Sequence, residues 1–460
     1  MIKIQNRRDQ TIALFGLGAS GLTTAHALAD SGVNVIAWDD SALQRNKAKQ
    51  ESISIHDLYS YDFTNIDALV LAPGVPFKHM PHPIAQKALA ADRPIIGDIE
   101  LLIEACPTAK FIGVTGTNGK STTTTLIGHI LRTAGVKNQI GGNLGPPALG
   151  LNEPNEKEII VLELSSYQLD LTRNATLDGS VFLNMSPDHL DRHGDMNGYF
   201  SAKRQIFRKR QNTIKPQFAV IGIDDGYGRF LYRELSAQDG LTVFPISMSK
   251  SLSEGFYAKN GALYDQTNTF ICDLNKAANL PGIHNWQNAA AAAAVGHALG
   301  IKNHLIADAI TNYHGLPHRM ENLGVINGVT FINDSKATNS VSTARALACH
   351  NNIYWIAGGV AKNEGIEAIK PFLTNIRHAF LIGDAARTFE TELAEKIGVT
   401  QCGDLETATQ MAYVSASEDL FNNPTVLLSP ACASFDQWQN FEVRGDAFKK
   451  LVSSMQSEAK

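Results

Sequence analysis

The stretch Phe111-Ile112-Gly113-Val114-Thr115-Gly116-Thr117-Asn118-Gly119-Lys120-Ser121-Thr122 predicts a strand, a glycine-rich turn and the start of a helix. In such a turn backbone N–H groups surround phosphate oxygens, and the helix N-terminus adds positive potential. Lys120 supplies a cation, and Ser121 offers a hydroxyl that suits Mg²⁺. Val114 replaces the first glycine of the G-x-x-x-x-G-K-[ST] pattern. A simple packing turn is the alternative, but Gly-Lys-Ser directly between strand and helix favours phosphate binding.

Upstream, the N-terminal residues predict a second nucleotide-binding turn. An apolar strand from Thr11 to Phe15 leads into the turn Gly16–Gly21, which is followed by a helix and by a strand ending at Asp39. This G-x-G-x-x-G spacing with an acidic residue about 20 positions later is the dinucleotide fingerprint. By itself it indicates NAD or FAD. Many doubly wound folds, however, use such a turn only for tight packing between helix and strand.

The composition is that of a globular protein without a nucleic-acid or membrane bias. The chain has 460 residues, 44% hydrophobic content and a formal net charge of −5, so no positive excess favours nucleic acid. The N-terminus lacks the apolar run of a signal peptide, and no segment offers about 18 apolar residues for a bilayer span. Five widely spaced cysteines without a C-x-x-C pair predict reduced thiols in the cytoplasm.

Downstream of the phosphate loop, three positions carry candidate chemistry. Glu163 ends a buried strand, and ligands of open parallel sheets lie at the carboxyl ends of strands. A strand-end carboxylate in water is the alternative. His189 lies in a short loop with several carboxylates, and Lys203 follows one helix later. Lys203 would by default be a solvated helix residue.

Three polar clusters follow strands in the last third of the chain. They are Asn333–Asn339, Gly358–Lys362 and Ser429–Asp436. Asp334 in the first cluster could be a ligand-binding residue or only a helix cap. Three polar strand exits at one sheet edge favour a binding site over three unrelated caps.

The sequence thus predicts an α/β protein of three successive units. Residues 1–106 form a Rossmann-like domain, residues 107–315 a P-loop ATPase-like domain with a mostly parallel sheet, and residues 316–460 a second Rossmann-like domain.

Taken together, the segments from Gly16 to Phe441 resemble the Mur ligase family, in family order. The loop Thr115–Thr122 is this family's variant of the phosphate loop, and the most discriminating segments are Glu163–Leu169, Asn333–Asn339 and Leu428–Ser434. The resemblance implies that the first domain binds the UDP of the substrate despite its dinucleotide signature. It further implies that the second domain binds ATP and that the third brings the amino acid.

The resemblance also implies roles for individual residues. Catalytic roles fall to Lys120, Glu163, His189 and Lys203, and two Mg²⁺ ions are held by Ser121, Glu163, His189 and Lys203, the last as a carbamate. The residues implied to contact ATP are Gly116, Thr117, Asn118, Gly119, Lys120, Ser121, Thr122, Asn285, Arg319, Asp334 and Lys336. Those implied to contact the UDP-substrate are Ala19, Ser20, Asp39, Gly74 and Asn143. Those implied to contact D-glutamate are Thr338, Lys362, Ser434 and Phe441. After the second strand the family often has three residues in the order Asp, then Ser or Thr, then Arg, whereas this chain has Asp39-Asp40-Ser41. That departure leaves the uracil contacts open.

The activity implied is an ATP-dependent ligation of D-glutamate to UDP-N-acetylmuramoyl-L-alanine through an acyl phosphate, in peptidoglycan precursor synthesis. The resemblance implies a cytoplasmic enzyme, acting as a monomer, without nucleic acid or membrane insertion. Two alternatives remain: a related amide ligase such as a folate polyglutamate ligase, and an NAD-dependent oxidoreductase. The oxidoreductase would leave the second phosphate loop without a purpose.

Overall fold

Three separate sheets, each combined with helices, make up the architecture. The computed structural model describes residues 1–210, 217–361, 365–419 and 423–458. They divide into two compact units, Met1–Leu274 with Ile283–Thr311, and Asn275–Gly282 with Asn312–Lys460. The predicted α/β class with mostly parallel sheets is confirmed, whereas the two boundaries between the three predicted domains remain predictions.

The first sheet has four parallel strands in the order β2-β1-β3-β4. Its apolar strands are buried because helices cover the sheet, as parallel connections require. Its strands and helices are β1 Thr11–Phe15, α1 Ala19–Asp30, β2 Asn34–Trp38, α2 Ala42–Gln50, β3 Ala68–Leu71, α3 Pro83–Ala90, β4 Ile95–Ile96 and α4 Asp98–Ala105.

The second sheet has nine strands in the order β13-β12-β11-β10-β9-β8-β5-β7-β6. The strands are β5 Lys110–Thr115, β6 Asn138–Gly142, β7 Ile159–Glu163, β8 Gly179–Phe182, β9 Gln217–Gly222, β10 Leu241–Ser247, β11 Phe256–Lys259, β12 Ala262–Tyr264 and β13 Phe270–Asp273. The helices are α5 Lys120–Thr133, α6 Ser166–Asp170, α7 Leu190–His193, α8 Met196–Arg204, α9 Gly226–Ser236, α10 Ile283–Ala298 and α11 Asn303–Thr311.

One prediction for this sheet was incomplete. The stretch from Phe256 to Asp273, with its turn at Asn260-Gly261, predicts a β-hairpin. The structure has this hairpin, β11 and β12 joined by the turn at Asn260-Gly261, and adds β13 antiparallel to β12 as a third strand. The remaining strands of the sheet pair in parallel, so that β5, β7 and β8 end at the same edge.

The third sheet has six strands in the order β14-β15-β19-β16-β17-β18, and only β14 and β15 pair antiparallel. Its strands are β14 Glu321–Ile326, β15 Val329–Asn333, β16 Ile353–Gly358, β17 Ile376–Ile382, β18 Gly398–Gly403 and β19 Thr425–Leu428. Its helices are α12 Ser340–Leu347, α13 Ala386–Leu393, α14 Leu405–Ser417 and α15 Phe441–Glu458. Short 3-10 helices occupy Gln5–Arg7, Phe63–Asn65, Ala148–Gly150, Gln205–Phe207, Leu274–Lys276 and Glu367–Asn375.

Within the described ranges, no helix combines the length and the apolar character that crossing a membrane requires.

Candidate active site

The predicted phosphate loop connects β5 to α5, as expected. Gly116 has φ +151° and Gly119 has φ +85°, and both values lie where glycine is favoured. At Gly119 a Cβ atom would also lie 2.2 Å from the Asn288 side-chain oxygen. The two glycines therefore permit a turn that leads directly into the N-terminus of α5, where an anion is favoured.

Two residues that were not predicted from the sequence hold this loop in place. Asn184, after β8, accepts from the backbone N–H of Asn118 at 2.9 Å through its side chain. Its backbone carbonyl accepts from Thr117 at 2.9 Å. The Asn184 amide in turn donates to Gln287 of α10 at 2.7 Å. Such distant partners have no local signal in the sequence.

Two lysines converge on one carbonyl of the loop. Lys203 Nζ donates to the Gly116 oxygen at 2.9 Å, and Lys120 Nζ donates to the same oxygen at 3.0 Å. Lys203 is only 1% exposed, which excludes the alternative of a solvated helix residue. Burial, followed by the charge of Lys120, lowers the pKa of Lys203 to about 6.

Glu163 lies at the end of β7 and is buried, which excludes a carboxylate that simply reaches water. Its Oε1 accepts from the Asn143 side chain at 2.9 Å. Its Oε2 is buried, and no hydrogen-bond partner was found for it in the described part of the chain. A buried carboxylate oxygen without a donor fits a cation, and carboxylate and hydroxyl oxygens are the ligands that Mg²⁺ prefers. The donor set of Glu163 with Ser121 at the start of α5 therefore fits the expected metal.

His189 adopts a left-handed backbone conformation, with φ +52°, immediately before α7. Tyr167 shares a hydrogen bond of 3.0 Å with its Nδ1. The Tyr199 ring lies 6.0 Å from the His189 ring and 4.5 Å from Lys203 Nζ. His189 and Lys203, the predicted pair, thus both lie next to the Tyr199 ring. In the described ranges, however, no group of three His, Cys, Asp or Glu residues has metal-site geometry.

Ala19, Ser20, Asp39 and Gly74, four of the five predicted UDP-substrate residues, lie around the exits of the first sheet, whereas Asn143 follows β6 of the second sheet. Asp39 accepts from the Leu17 backbone at 2.6 Å, which fixes the glycine turn before Ala19 begins α1. Ser20 donates to the buried Asp98 at 2.7 Å. Burial raises the pKa of Asp98, which was not among the predicted site residues. The Gly74 carbonyl accepts from Arg192 at 3.2 Å.

Asp334 is a buried residue between two strand exits, not a helix cap. Its side chain accepts from Ser429 Oγ at 2.8 Å and from the Met320 backbone at 3.1 Å. The cap of α12 is Asn339, which accepts from Ser342 N at 2.8 Å. Burial raises the pKa of Asp334 to about 7. The alternative of a mere cap is therefore wrong.

The other predicted residues of the third sheet surround the same strand ends. Lys336 Nζ lies 5.6 Å from the centre of the Phe441 ring. The backbone N–H of Thr338 donates to the Lys336 carbonyl at 2.9 Å. Ser434 is buried, and half-buried Arg319 partly offsets the raised pKa of Asp334. Lys362 lies outside the described residues. The predicted convergence of three polar exits is confirmed, since β15, β19 and β16 are neighbours.

Asn285 belongs to the helix that faces the phosphate loop. It lies in the first turn of α10, and its side-chain oxygen accepts from Asn288 at 2.9 Å. Asn288 Oδ1 also accepts from Thr123 of α5 at 3.2 Å. Asn285 of α10 is thereby connected through Asn288 to Thr123 of α5, the helix that begins with Lys120 and Ser121.

Comparisons with known proteins agree with this geometry. The family model of the Mur ligase middle domain matches residues 114–296. A curated UDP-N-acetylmuramoylalanine--D-glutamate ligase from Caulobacter vibrioides is 46% identical over 99% of this chain and 98% of its own length. The protein of the same name from Paramagnetospirillum magneticum is 44% identical, with the same coverage of both chains.

Solved structures support the fold. A UDP-N-acetylmuramate-alanine ligase from Thermotoga maritima covers 97% of this chain and 99% of its own, with a TM-score of 0.57 and 16% identity. A MurF ligase from the same organism, in complex with ADP, covers 99% of this chain and 100% of its own, with a TM-score of 0.55 and 15% identity. Because it is 44% to 46% identical to these curated ligases over 99% of its length, the chain belongs to the Mur ligase family of ATP-dependent amide ligases.

Proposed function

We propose that this enzyme joins D-glutamate to UDP-N-acetylmuramoyl-L-alanine in peptidoglycan precursor synthesis, as the names of its relatives indicate for those proteins. The observation that carries the proposal is the cluster at the phosphate loop, where Lys120 and Lys203 share the Gly116 carbonyl. Glu163 adds a buried carboxylate oxygen without a donor in the described chain. This arrangement suits the transfer of a phosphoryl group between anionic oxygens.

The proposed reaction has two steps. A carboxylate oxygen of the UDP-substrate attacks the γ-phosphorus of ATP, the bond to the β-phosphate oxygen breaks, and ADP leaves. The D-glutamate amine then attacks the acyl carbon, phosphate leaves, and the amine gives up a proton. The ATP phosphates are held by Gly116, Thr117, Asn118, Gly119, Lys120, Ser121 and Thr122. Asn285 and Arg319 approach the nucleotide, and Asp334 and Lys336 hold its ribose and γ-phosphate side.

Two Mg²⁺ ions are part of the proposal and would offset the charge on the moving phosphoryl group. Ser121 and Glu163 hold one, and His189 and Lys203 hold the other. An ammonium would repel a metal, whereas the carbamate formed by adding CO₂ to a neutral amine is an oxygen ligand. The buried position and the lowered pKa of Lys203 favour the neutral amine that this addition requires.

The remaining assignments complete the proposal. The UDP-substrate binds at Ala19, Ser20, Asp39, Gly74 and Asn143, and D-glutamate binds at Thr338, Lys362, Ser434 and Phe441. The three sheets act as separate domains with boundaries at residues 106/107 and 315/316, and the enzyme is a cytoplasmic monomer without membrane insertion.

A phosphate-release assay with ATP, Mg²⁺ and UDP-N-acetylmuramoyl-L-alanine tests the function. D-Glutamate should stimulate release, whereas L-glutamate, L-alanine and D-alanyl-D-alanine should not. Stimulation by a different amino acid or by a folate substrate would move the chain to another branch of amide ligases. A titration of NADH fluorescence tests the oxidoreductase alternative, for which the proposal expects no binding.

A further inference from the structure

Arg444 is a buried cation of the third sheet that the proposed chemistry does not use. It lies in the second turn of α15 and is 1% exposed. Burial lowers the pKa of its guanidinium to about 10, which still leaves it charged at neutral pH. In the described part of the chain its hydrogen bonds all go to neutral oxygens. Its charge is therefore not neutralised by a carboxylate in direct contact.

The guanidinium lies where three neighbouring strands end. Nε donates to Ser335 Oγ at 3.0 Å, and one terminal nitrogen donates to the Ser335 carbonyl at 2.9 Å and the Cys432 carbonyl at 3.2 Å. The other terminal nitrogen lies 3.3 Å from where a Cβ atom would stand on Gly359. These residues follow β15, β19 and β16, which are adjacent in the sheet. One side chain thus bonds the loops after β15 and β19 and lies next to the loop after β16.

The same loops carry the residues proposed for the amino acid. Thr338 follows Ser335 by three positions, and Ser434 follows Cys432 by two. Ser335 Oγ also donates to the Phe441 carbonyl at 2.8 Å. Through Ser335 and Cys432, Arg444 is therefore connected to the segments that carry Thr338, Ser434 and Phe441.

Packing alone does not explain a charged residue at this position. Burial of an ion costs free energy, and a protein with an apolar side chain of similar volume at the same position is often as stable or more stable. A planar guanidinium, however, can bond several fixed acceptors at once. Its field is also weakly screened in a buried environment, so an anionic ligand nearby is favoured.

We propose that Arg444 is a positioning residue for the acidic amino acid. Its planar donors hold the loops after β15 and β19 in their binding arrangement beside the loop after β16, and its charge favours a dianionic ligand over a neutral one. This inference rests on the proposed function and adds a specificity residue to it.

The test compares Arg444→Met and Arg444→Lys with Arg387→Met, a control at an exposed arginine of α13. KM values for D-glutamate, ATP and the UDP-substrate are measured by phosphate release, with melting temperatures in parallel. Because hydrogen bonds to a charged group are lost, Arg444→Met should raise the KM for D-glutamate about tenfold or more, and that for the UDP-substrate less than about twofold. Arg444→Lys keeps the charge and should lie between Arg444→Met and the unmodified enzyme.

The outcomes separate the two proposals. A lower melting temperature with an unchanged KM for D-glutamate would make Arg444 a packing residue and overturn the inference. Equal increases in KM for D-glutamate and the UDP-substrate would do the same. If Arg444→Met does not fold, Arg444→Lys decides, since the inference requires its D-glutamate KM to rise selectively. An unmodified enzyme that does not respond to D-glutamate would instead overturn the proposed function.

Discussion

Lys120 combines a fixed position with a full charge at the phosphate loop. Its ammonium is held by the carbonyls of Gly116 and Thr117 at 3.0 and 2.9 Å. A preorganised cation of this kind stabilises charge on a transferring phosphoryl group, so Lys120→Ala should lower turnover by about 100-fold or more. Steady-state phosphate release measures the effect, with exposed Lys137→Ala as the control. Near-normal turnover in a folded Lys120→Ala protein would refute the assignment of this loop.

Lys203 is expected to act as a carbamate. Lys203→Ala should be nearly inactive yet still bind the UDP-substrate, because the residue is assigned to the metal and not to the nucleotide sugar. Added acetate should restore part of the activity, since it supplies a carboxylate where the carbamate is missing. Activity assays with and without acetate, together with calorimetric binding of the UDP-substrate, provide the readouts. Full activity of Lys203→Ala without acetate would contradict the carbamate.

The raised pKa of Asp334 predicts how stability depends on pH. The pKa rises from 3.8 to about 7 because the carboxyl is buried, so the folded protein binds this proton more strongly than the unfolded chain. The stabilisation is complete below about 3.8 and is lost as pH rises through about 7. The melting temperature of the unmodified enzyme, relative to that of Asp334→Asn, should therefore decrease as the pH rises from about 3.8 to about 7.

Scanning calorimetry across this pH range checks the effect, with exposed Asp239→Asn as the control. A difference between the unmodified enzyme and Asp334→Asn that does not change with pH would contradict the raised pKa.

Among the elements, the segment containing α7 connects two proposed sites within the first unit. Arg192 donates to the carbonyls of Pro73 and Gly74, both at 3.2 Å, and to that of Val75. Its guanidinium also lies 4.9 Å from the centre of the Tyr167 ring, and Tyr167 in turn bonds His189. The loop after β3 is thereby held next to the proposed metal loop.

Arg192→Lys should weaken this connection, because an ammonium cannot reproduce the planar donor geometry. We expect kcat/KM for the UDP-substrate to fall about tenfold, the effect of losing one or two charged hydrogen bonds. Arg233→Lys, at an exposed position of α9, is the matched control. An unchanged kcat/KM for the UDP-substrate would show that the connection has no role in binding.

At the scale of the whole molecule, the assignment of D-glutamate to the third sheet is itself testable. The ligand has two carboxylates, so its pocket needs cationic and hydroxyl donors, and Lys362 is the cation proposed for it. Lys362→Ala should raise the KM for D-glutamate far more than the KM for ATP. Phosphate-release kinetics with each substrate varied in turn give both values. Equal effects on the two substrates would remove Lys362 from the amino-acid pocket.

The sequence by itself determined the features that depend on neighbouring residues. The apolar runs of β1, β5 and β7 and the glycine turns after β1 and β5 identify strands and loops from local chemistry alone. Parallel strands place their carboxyl ends at one edge, so the position of Glu163 and the convergence of three polar exits followed as well. Resemblance over nearly the whole chain supplied the family.

Only the tertiary structure decided which distant side chains meet. Lys203 and Gly116 are 87 positions apart along the chain, Asn184 and Gln287 are 103 apart, and Arg444 and Ser335 are 109 apart. Each of these pairs nevertheless shares a hydrogen bond. Strand order and helix packing bring such residues together, and no local pattern encodes either. Burial likewise became known only in three dimensions. At the surface Lys203 would be a solvated lysine and Asp334 a helix cap. Because both are buried, their pKa values are shifted instead.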